Sequence, residues 1–351
     1  MNKKKVIGYV GTRDLGRMRE EDIRKLDVIN IAFGHIRENE TVWEDGAGTE
    51  ENLERIRRIH PEIRIILSIG GWSADGFSQA AMTEDTREKA AKSAAELVAA
   101  HKLDGIDIDW EYPCFALAGI AADMRDKENF TLFLAKLRQE LDALGEGKML
   151  TIAAGGDTYF TLHTDMAQAQ RYLDYVQLMT YDLQGGFVKV TGHHASLYPG
   201  TTNLFDVCVD KAVKTFMAAG LPAEKLIVGV PFYARHWKGV KGGGDGLGRE
   251  AGTVGMGGPG YRELVQSYID KNGYRRYWDD AGKAPYLFNG DCFISYDDGE
   301  SLRAKADYVR EKELGGIMFW EYGSDPDGIL LDCIYEAFHA QAYSRQSGRG
   351  R

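Results

Sequence analysis

The chain has 351 residues, of which 44% are hydrophobic, and a formal net charge of −10 at pH 7. This length favours one large α/β domain with an insertion. The acidic balance argues against a surface for nucleic acid or for an anionic membrane.

The chain begins with MNKKKVIGYV, which is basic and runs directly into a strand-like segment. It lacks the apolar stretch of roughly 7–15 residues and the small-residue cleavage site of a signal peptide. No run in the sequence approaches the roughly 18 apolar residues that span a membrane. We therefore expect a cytoplasmic protein if the chain is full length, and a secreted one if a leader has been removed.

Eight short runs rich in β-branched residues are predicted as strands. They lie at residues 4–10, 27–34, 63–70, 103–110, 149–155, 175–181, 226–233 and 315–322. Amphipathic helical patterns lie between them, including 83–101, 126–144 and 202–219. Strands and helices that alternate in this way predict a (β/α)8 TIM barrel. A doubly wound sheet is the alternative, but no GxGxxG motif follows the first strand.

The segment between the seventh and eighth predicted strands is too long for one helix. It contains the glycine-rich run KGGGDGLG at 241–248, a short helical pattern near 259–271 and many aromatic residues. Aromatic density of this kind argues against a disordered segment. We therefore predict a small α+β insertion domain at 234–291, a barrel formed by residues 1–233 and 292–341, and a polar tail at 342–351.

The most informative run is DGIDIDWEYP at 104–113. Because a strand alternates its faces, Asp107, Asp109 and Glu111 point the same way, and the apolar residues between them point towards packed helices. Closely set carboxylates whose proton affinities are pushed apart supply an acid and a charged partner at neutral pH. A solvated edge strand with an acidic outer face is the alternative.

Other predicted strands also end in aromatic or acidic residues. Their carboxyl ends read SIGGW (68–72), MTYD (179–182), PFYAR (231–235) and FWEYG (319–323). Polar groups at these ends of a barrel converge on one site. The sequence therefore predicts a groove lined with rings around a carboxylate cluster, which suits a neutral polymer of sugars.

Five motifs occur in order at the predicted strand ends: SIGGW, DGIDIDWEYP, QLMTYD, GVPFYAR and GIMFWEYGSD. Together they resemble glycoside hydrolase family 18, the chitinase family, in the branch with an α+β insertion between strands seven and eight. The resemblance implies retaining, substrate-assisted hydrolysis of β-1,4 bonds between N-acetylglucosamine units in chitin or its oligosaccharides. We expect a monomer that needs no cofactor.

The resemblance assigns the chemistry to four residues. Glu111 would be the general acid that protonates the glycosidic oxygen. Asp109 would orient and stabilise the substrate N-acetyl group as its carbonyl attacks the anomeric carbon. Asp107 would hold a proton shared with Asp109, and Tyr181 would donate to the acetamido oxygen.

Further residues would bind the sugars. Trp320 would form the floor under the distorted sugar, with Tyr9 and Phe33 below it, although an ordinary core tryptophan is the alternative. Trp72 and Tyr112 would stack on neighbouring sugars. The set is completed by Met179, Asp182, Tyr233 and Arg235.

Metal ligands and disulfides are not expected. The cysteines, Cys114, Cys208, Cys292 and Cys333, are scattered without a CxxC pair and are predicted to be reduced thiols. His193 and His194 suggest a metal site, but adjacent residues rarely present two ligands well, and no cysteine or third histidine lies near. Their expected role is to shape the loop after the sixth strand.

Three alternatives to a chitinase stay open. An endo-β-N-acetylglucosaminidase or a peptidoglycan-cleaving enzyme would use the same barrel, but the many groove aromatics favour a long linear substrate. A non-catalytic lectin of this fold would typically lack the acid, whereas Glu111 is present. A metal-dependent carboxylate enzyme would need further ligands.

Overall fold

The structure is a computed structural model that describes residues 3–202 and 204–347, with side chains through residue 339. In chain order its strands are β1 (Lys5–Gly11), β2 (Val28–Arg37), β3 (Glu40–Val42), β4 (Arg64–Gly70), β5 (Gly105–Asp109), β6 (Met149–Gly155), β7 (Tyr175–Met179), β8 (Leu226–Pro231), β9 (Arg235–Trp237), β10 (Arg275–Asp279), β11 (Ala284–Phe288), β12 (Phe293–Ser295) and β13 (Gly316–Trp320).

Eight of these strands are parallel and form a closed barrel. The pairing order is β1-β13-β8-β7-β6-β5-β4-β2, and β1 also pairs with β2, which closes the sheet. The short β3 pairs antiparallel with the end of β2. The predicted (β/α)8 TIM barrel is confirmed.

Helices surround the barrel. They are α1 (Glu20–Ile23), α2 (Thr49–Ile59), α3 (Phe77–Ala81), α4 (Glu84–Ala100), α5 (Asp126–Ala143), α6 (Thr158–Leu162), α7 (Met166–Ala169), α8 (Val209–Ala218), α9 (Tyr261–Ser267), α10 (Gly299–Glu311) and α11 (Ile329–Ser347). The predicted helices at 83–101 and 126–144 agree with α4 and α5. The one predicted at 202–219 starts too early, because Cys208 caps a helix that begins at Val209.

The strand residues alternate between two cores, as the faces of a strand require. One core fills the barrel and contains Ile7, Tyr9, Val28, Ile66, Met149, Ala153, Met179, Ile227 and Met318. The other lies between the barrel and its helices. Trp110, for example, is buried there and stacks on Phe77 of α3 at 5.3 Å between ring centroids. The odd-numbered residues of β5 therefore face the barrel interior.

Strands β9 to β12 form a second, antiparallel sheet in the order β10-β11-β12-β9. It has its own core, in which Trp237, Tyr286 and Phe293 are buried. The rings of Tyr277 and Tyr286 stack at 5.2 Å. The sheet corresponds to the predicted insertion and runs past residue 291, because β12 ends at Ser295.

Within the described residues, none of the helices combines the length and the apolar character that a membrane span requires.

Candidate active site

The Asp107 carboxylate is fully buried in the barrel and accepts four hydrogen bonds. Oδ2 accepts from Tyr9 Oη (2.8 Å) and Ser68 Oγ (2.7 Å), and Oδ1 accepts from Thr151 Oγ1 (2.7 Å) and Gln177 Nε2 (2.9 Å). Burial raises the pKa of Asp107, and these hydrogen bonds oppose that rise. Asp107 therefore joins β5 to four other barrel strands, β1, β4, β6 and β7.

The sequence interpretation did not assign the donors Ser68, Thr151 and Gln177. Asn30 was also missed; its Nδ2 donates to Gln177 Oε1 at 2.8 Å. Each is a polar residue near the middle of an apolar strand, at a position that faces the barrel interior. That pattern was visible in the sequence, because period-two alternation places all of them on the face of Asp107.

Asp109 is buried at the end of β5, and its Oδ1 has no hydrogen-bond partner among the described residues. Burial raises its pKa well above the ordinary value, and the charges of Glu111 and Asp107 add to this. No hydrogen bond within the described part of the chain joins Asp109 to Asp107, so their shared proton stays a prediction. This oxygen is buried without a partner among the described residues, which adds to the cost of ionising the Asp109 carboxyl group.

Glu111 lies just past β5 and is partly exposed. Burial raises its pKa to about 7, and the nearby charge of Asp182 also raises it. Because two neighbouring carboxyl groups resist ionising together, the pair of Asp109 and Glu111 holds a proton near neutral pH. The site therefore contains a carboxylic acid that can donate this proton.

Two tyrosines adjoin these carboxyl groups. Burial raises the pKa of Tyr181 and of Tyr112 well above the usual value, and the charges of Asp109 and Glu111 add to it. Both phenols therefore keep their protons. Tyr181 is a potential hydrogen-bond donor beside Asp109.

Trp320 ends β13 and is partly exposed, which disfavours an ordinary core role. Its ring stacks on Phe33 at 5.3 Å and lies 5.5 Å from the ring of Tyr9. Met179 belongs to the same interior cluster. These residues form an aromatic floor beside the carboxyl groups.

Asp182 follows β7 in a left-handed backbone conformation, with φ of 58°. Its carboxylate accepts from Tyr233 Oη at 2.8 Å and from the Arg235 guanidinium. Although burial raises the pKa of Asp182, hydrogen bonds from His194 and Arg235 hold it well below the usual range. Asp182 is therefore an anion beside Glu111.

The remaining predicted residue, Trp72, follows β4 and is 53% exposed. A ring so exposed at a strand end is available for stacking. The predicted site residues all lie in or just after barrel strands, except Arg235, which begins β9.

A cavity of about 690 Å³ adjoins this floor through Phe33. Its walls come from the segment after β1, the end of β2, and the loop that leads into α2. Polar side chains line most of it, among them Arg13, Asp14, His35 and Asn52. A pocket of this size and polarity suits a ligand rich in hydroxyl groups.

One group of potential metal ligands comes together within the described residues. Ligand atoms of Asp45, Glu50 and His101 lie within 4.8 Å of one another. None of these residues belongs to the carboxyl cluster around Asp109, and His101 is already paired with Glu50.

The sequence matches the model of the glycosyl hydrolases family 18 over residues 5–325. It is 39% identical to chitinase A1 of Niallia circulans, in an alignment that covers 81% of this chain and 44% of that protein. It is 31% identical to chitinase B of Serratia marcescens, covering 97% and 85% respectively. The chain thus spans less than half the length of the first relative.

Two solved structures are also similar. One is a family 18 N-acetylglucosaminidase from Paenibacillus barengoltzii, with 50% identity and a TM-score of 0.93; the match covers 95% of this chain and 99% of that one. The other is a multi-modular cell-surface chitinase from a Paenibacillus strain, with 39% identity and a TM-score of 0.90, covering 95% and 43%.

Proposed function

The chain belongs to the glycosyl hydrolases of family 18, and on that premise we propose that it hydrolyses β-1,4 bonds between N-acetylglucosamine units. The substrate would be chitin or its oligosaccharides. The observation that carries the proposal is the position of Glu111 just past β5, beside the buried Asp109 and the aromatic floor of Trp320, where burial raises the pKa of Glu111 to about 7.

In this proposal Glu111 gives its proton to the glycosidic oxygen as the bond breaks, which contributes about 10²- to 10⁴-fold to the rate. The acetamido carbonyl of the substrate attacks the anomeric carbon, so that no protein carboxylate has to act as the nucleophile. Tyr181, which stays protonated, donates to that carbonyl oxygen. Water then opens the cyclic intermediate with Glu111 as the base.

Asp109 would stabilise the cation that develops on the acetamido group. Burial disfavours its charged form, as the raised pKa shows. A positive charge that appears beside Asp109 in the transition state would favour the ionised form. Stabilisation that grows towards the transition state accelerates the reaction, whereas uniform binding does not.

A second candidate is the release of single N-acetylglucosamine units from chain ends. It is favoured by the similarity to an N-acetylglucosaminidase over 99% of that chain. The polar pocket beside Phe33 supports it, because hydroxyl groups at the end of a sugar chain need polar partners.

Product analysis with defined N-acetylglucosamine oligomers tests both candidates. Release of disaccharides or longer pieces supports the first, and release of monomers alone supports the second. Fully deacetylated oligomers should resist cleavage, because they lack the attacking carbonyl. Their efficient hydrolysis would contradict the mechanism.

Glu111→Gln should lower kcat by about 10²- to 10⁴-fold and leave oligosaccharide binding largely intact, since the side chain keeps its size. Activity near that of the wild type on an unactivated oligomer would show that another group is the acid.

A further inference from the structure

His193 and His194 are adjacent and buried, and each faces a different carboxylate. His194 Nδ1 lies 3.4 Å from Asp182 Oδ1, beside the carboxyl cluster. His193 Nε2 lies 3.0 Å from Asp279 Oδ2, at the end of β10 in the insertion. The pair therefore spans from the insertion domain to the predicted site.

The insertion holds this pair at two points. Asp279 accepts hydrogen bonds from His193 and from both the amide and the hydroxyl of Thr201. The backbone N–H of His194 donates to Ser295 Oγ of β12 at 2.9 Å. Gly200 permits the close approach, since a β-carbon there would lie 2.8 Å from Asp279 Oδ2. Two strands of the second sheet thus fix the two histidines.

On the side of the site, His194 completes the donor set of Asp182. Tyr233 and Arg235 supply the other donors, and the His194 ring lies 5.6 Å from the Tyr233 ring. Burial lowers the pKa of His194, which favours the neutral imidazole. A neutral ring facing a carboxylate donates through Nδ1–H, and His194 Nε2 has no partner among the described residues.

We propose that His193 and His194 form a clasp through which the insertion domain positions the Asp182 carboxylate beside Glu111. His194 is a positioning residue in this arrangement, because it acts on the acid through Asp182. The proposal rests on the proposed function, in which Glu111 is the acid. The charged groups around His194 are Asp182, Arg235 and Asp297.

The first experiment compares His194→Leu, which fills the space without a donor, with His194→Asn, whose amide can donate from a similar position. We expect His194→Leu to lower kcat on an N-acetylglucosamine oligomer by about 10- to 100-fold, as a misplaced group near the reaction centre does. His194→Asn should recover most of that loss.

The pH profile separates positioning from mere structural support. The negative charge of Asp182 raises the pKa of Glu111. When Asp182 is held less firmly, that influence weakens, and the basic limb of the kcat profile should move to lower pH in His194→Leu. The positioning role would be overturned if the pH profile of His194→Leu were that of the wild type. It would also be overturned if His194→Asn lost as much kcat as His194→Leu while its basic limb stayed in place.

The second experiment tests the insertion domain directly. Asp279→Asn weakens the hold on His193 from a strand outside the site, and Asp280→Asn is the matched control at the neighbouring exposed position. In Asp279→Asn we expect the basic limb of the kcat profile to move to lower pH, by less than in His194→Leu. In Asp280→Asn the limb should stay in place. If His194→Leu fails to fold, Asp279→Asn and Ser295→Ala carry the test. An unshifted limb in both would refute the clasp.

A readout without substrate separates this proposal from the proposed function. Nitrogen NMR of the His194 ring should show a neutral imidazole protonated at Nδ1, and the signal should change in Asp279→Asn. A ring protonated at Nε2 alone would contradict the clasp even in an active enzyme. A wild-type protein that cleaves no N-acetylglucosamine oligomer would instead refute the proposed function.

Discussion

Gly70 and Asp109 lie opposite each other in the register of β4 and β5, and a β-carbon on Gly70 would stand 2.0 Å from the Asp109 carbonyl oxygen. The same oxygen accepts a hydrogen bond from Gly71 N at 2.9 Å. The backbone of Asp109 therefore packs directly against the backbone of Gly70, where no side chain fits.

Gly70→Ala should destabilise the protein by about 3 kcal/mol or more, because the new methyl group meets backbone rather than a flexible side chain. Gly119→Ala is the matched control, since Gly119 also has a positive φ but nothing within 4 Å of its β-carbon position. It should cost about 1 kcal/mol. Denaturant unfolding measures both, and equal losses would show that backbone strain alone matters at Gly70.

Sequence patterns were sufficient for the barrel and for the residues at its strand ends. Alternation placed Asp107 and Asp109 on the inner face, because period two is a local property of a strand. These patterns did not predict the contacts that His193 and His194 make with the insertion domain. The contact of His193 with Asp279 joins residues 86 positions apart, and local patterns carry no information on how the insertion sheet lies against the loop after β7.

The Glu111 carboxyl should make stability depend on pH. Its pKa is about 7 in the folded protein and about 4.3 in an unfolded chain. Between these values the folded state keeps a proton that the unfolded state loses, so stability present at low pH is lost as pH rises towards 7. Glu111→Gln removes this loss. Its melting temperature should exceed that of the wild type at pH 8, with a smaller difference at pH 4; an equal difference at both would contradict the raised pKa.

Tyr9→Phe tests the hydrogen bonding of Asp107. The substitution removes one of the two donors to Asp107 Oδ2 and one acceptor for Gln177 Nε2. It should cost about 1–3 kcal/mol, because a hydrogen bond to a buried carboxylate is lost. Tyr172→Phe is the control, as its hydroxyl makes no hydrogen bond within the described part of the chain. Equal unfolding free energies for the two variants would mean that the phenol of Tyr9 is not needed to hold Asp107.

Trp72 and Trp320 should respond differently to truncation, because they differ in their contacts with the rest of the protein. Trp72 is 53% exposed, so Trp72→Ala should leave the melting temperature unchanged and weaken the binding of long oligomers by about fivefold, equivalent to about 1 kcal/mol of stacking. Trp320 supports Phe33 and Tyr9 as well as the predicted sugar. Trp320→Ala should therefore lower both stability and kcat. Calorimetry measures the change in stability and steady-state kinetics the change in kcat for each variant. If Trp72→Ala lowered kcat without weakening oligomer binding, the reacting sugar would lie on Trp72 rather than on Trp320.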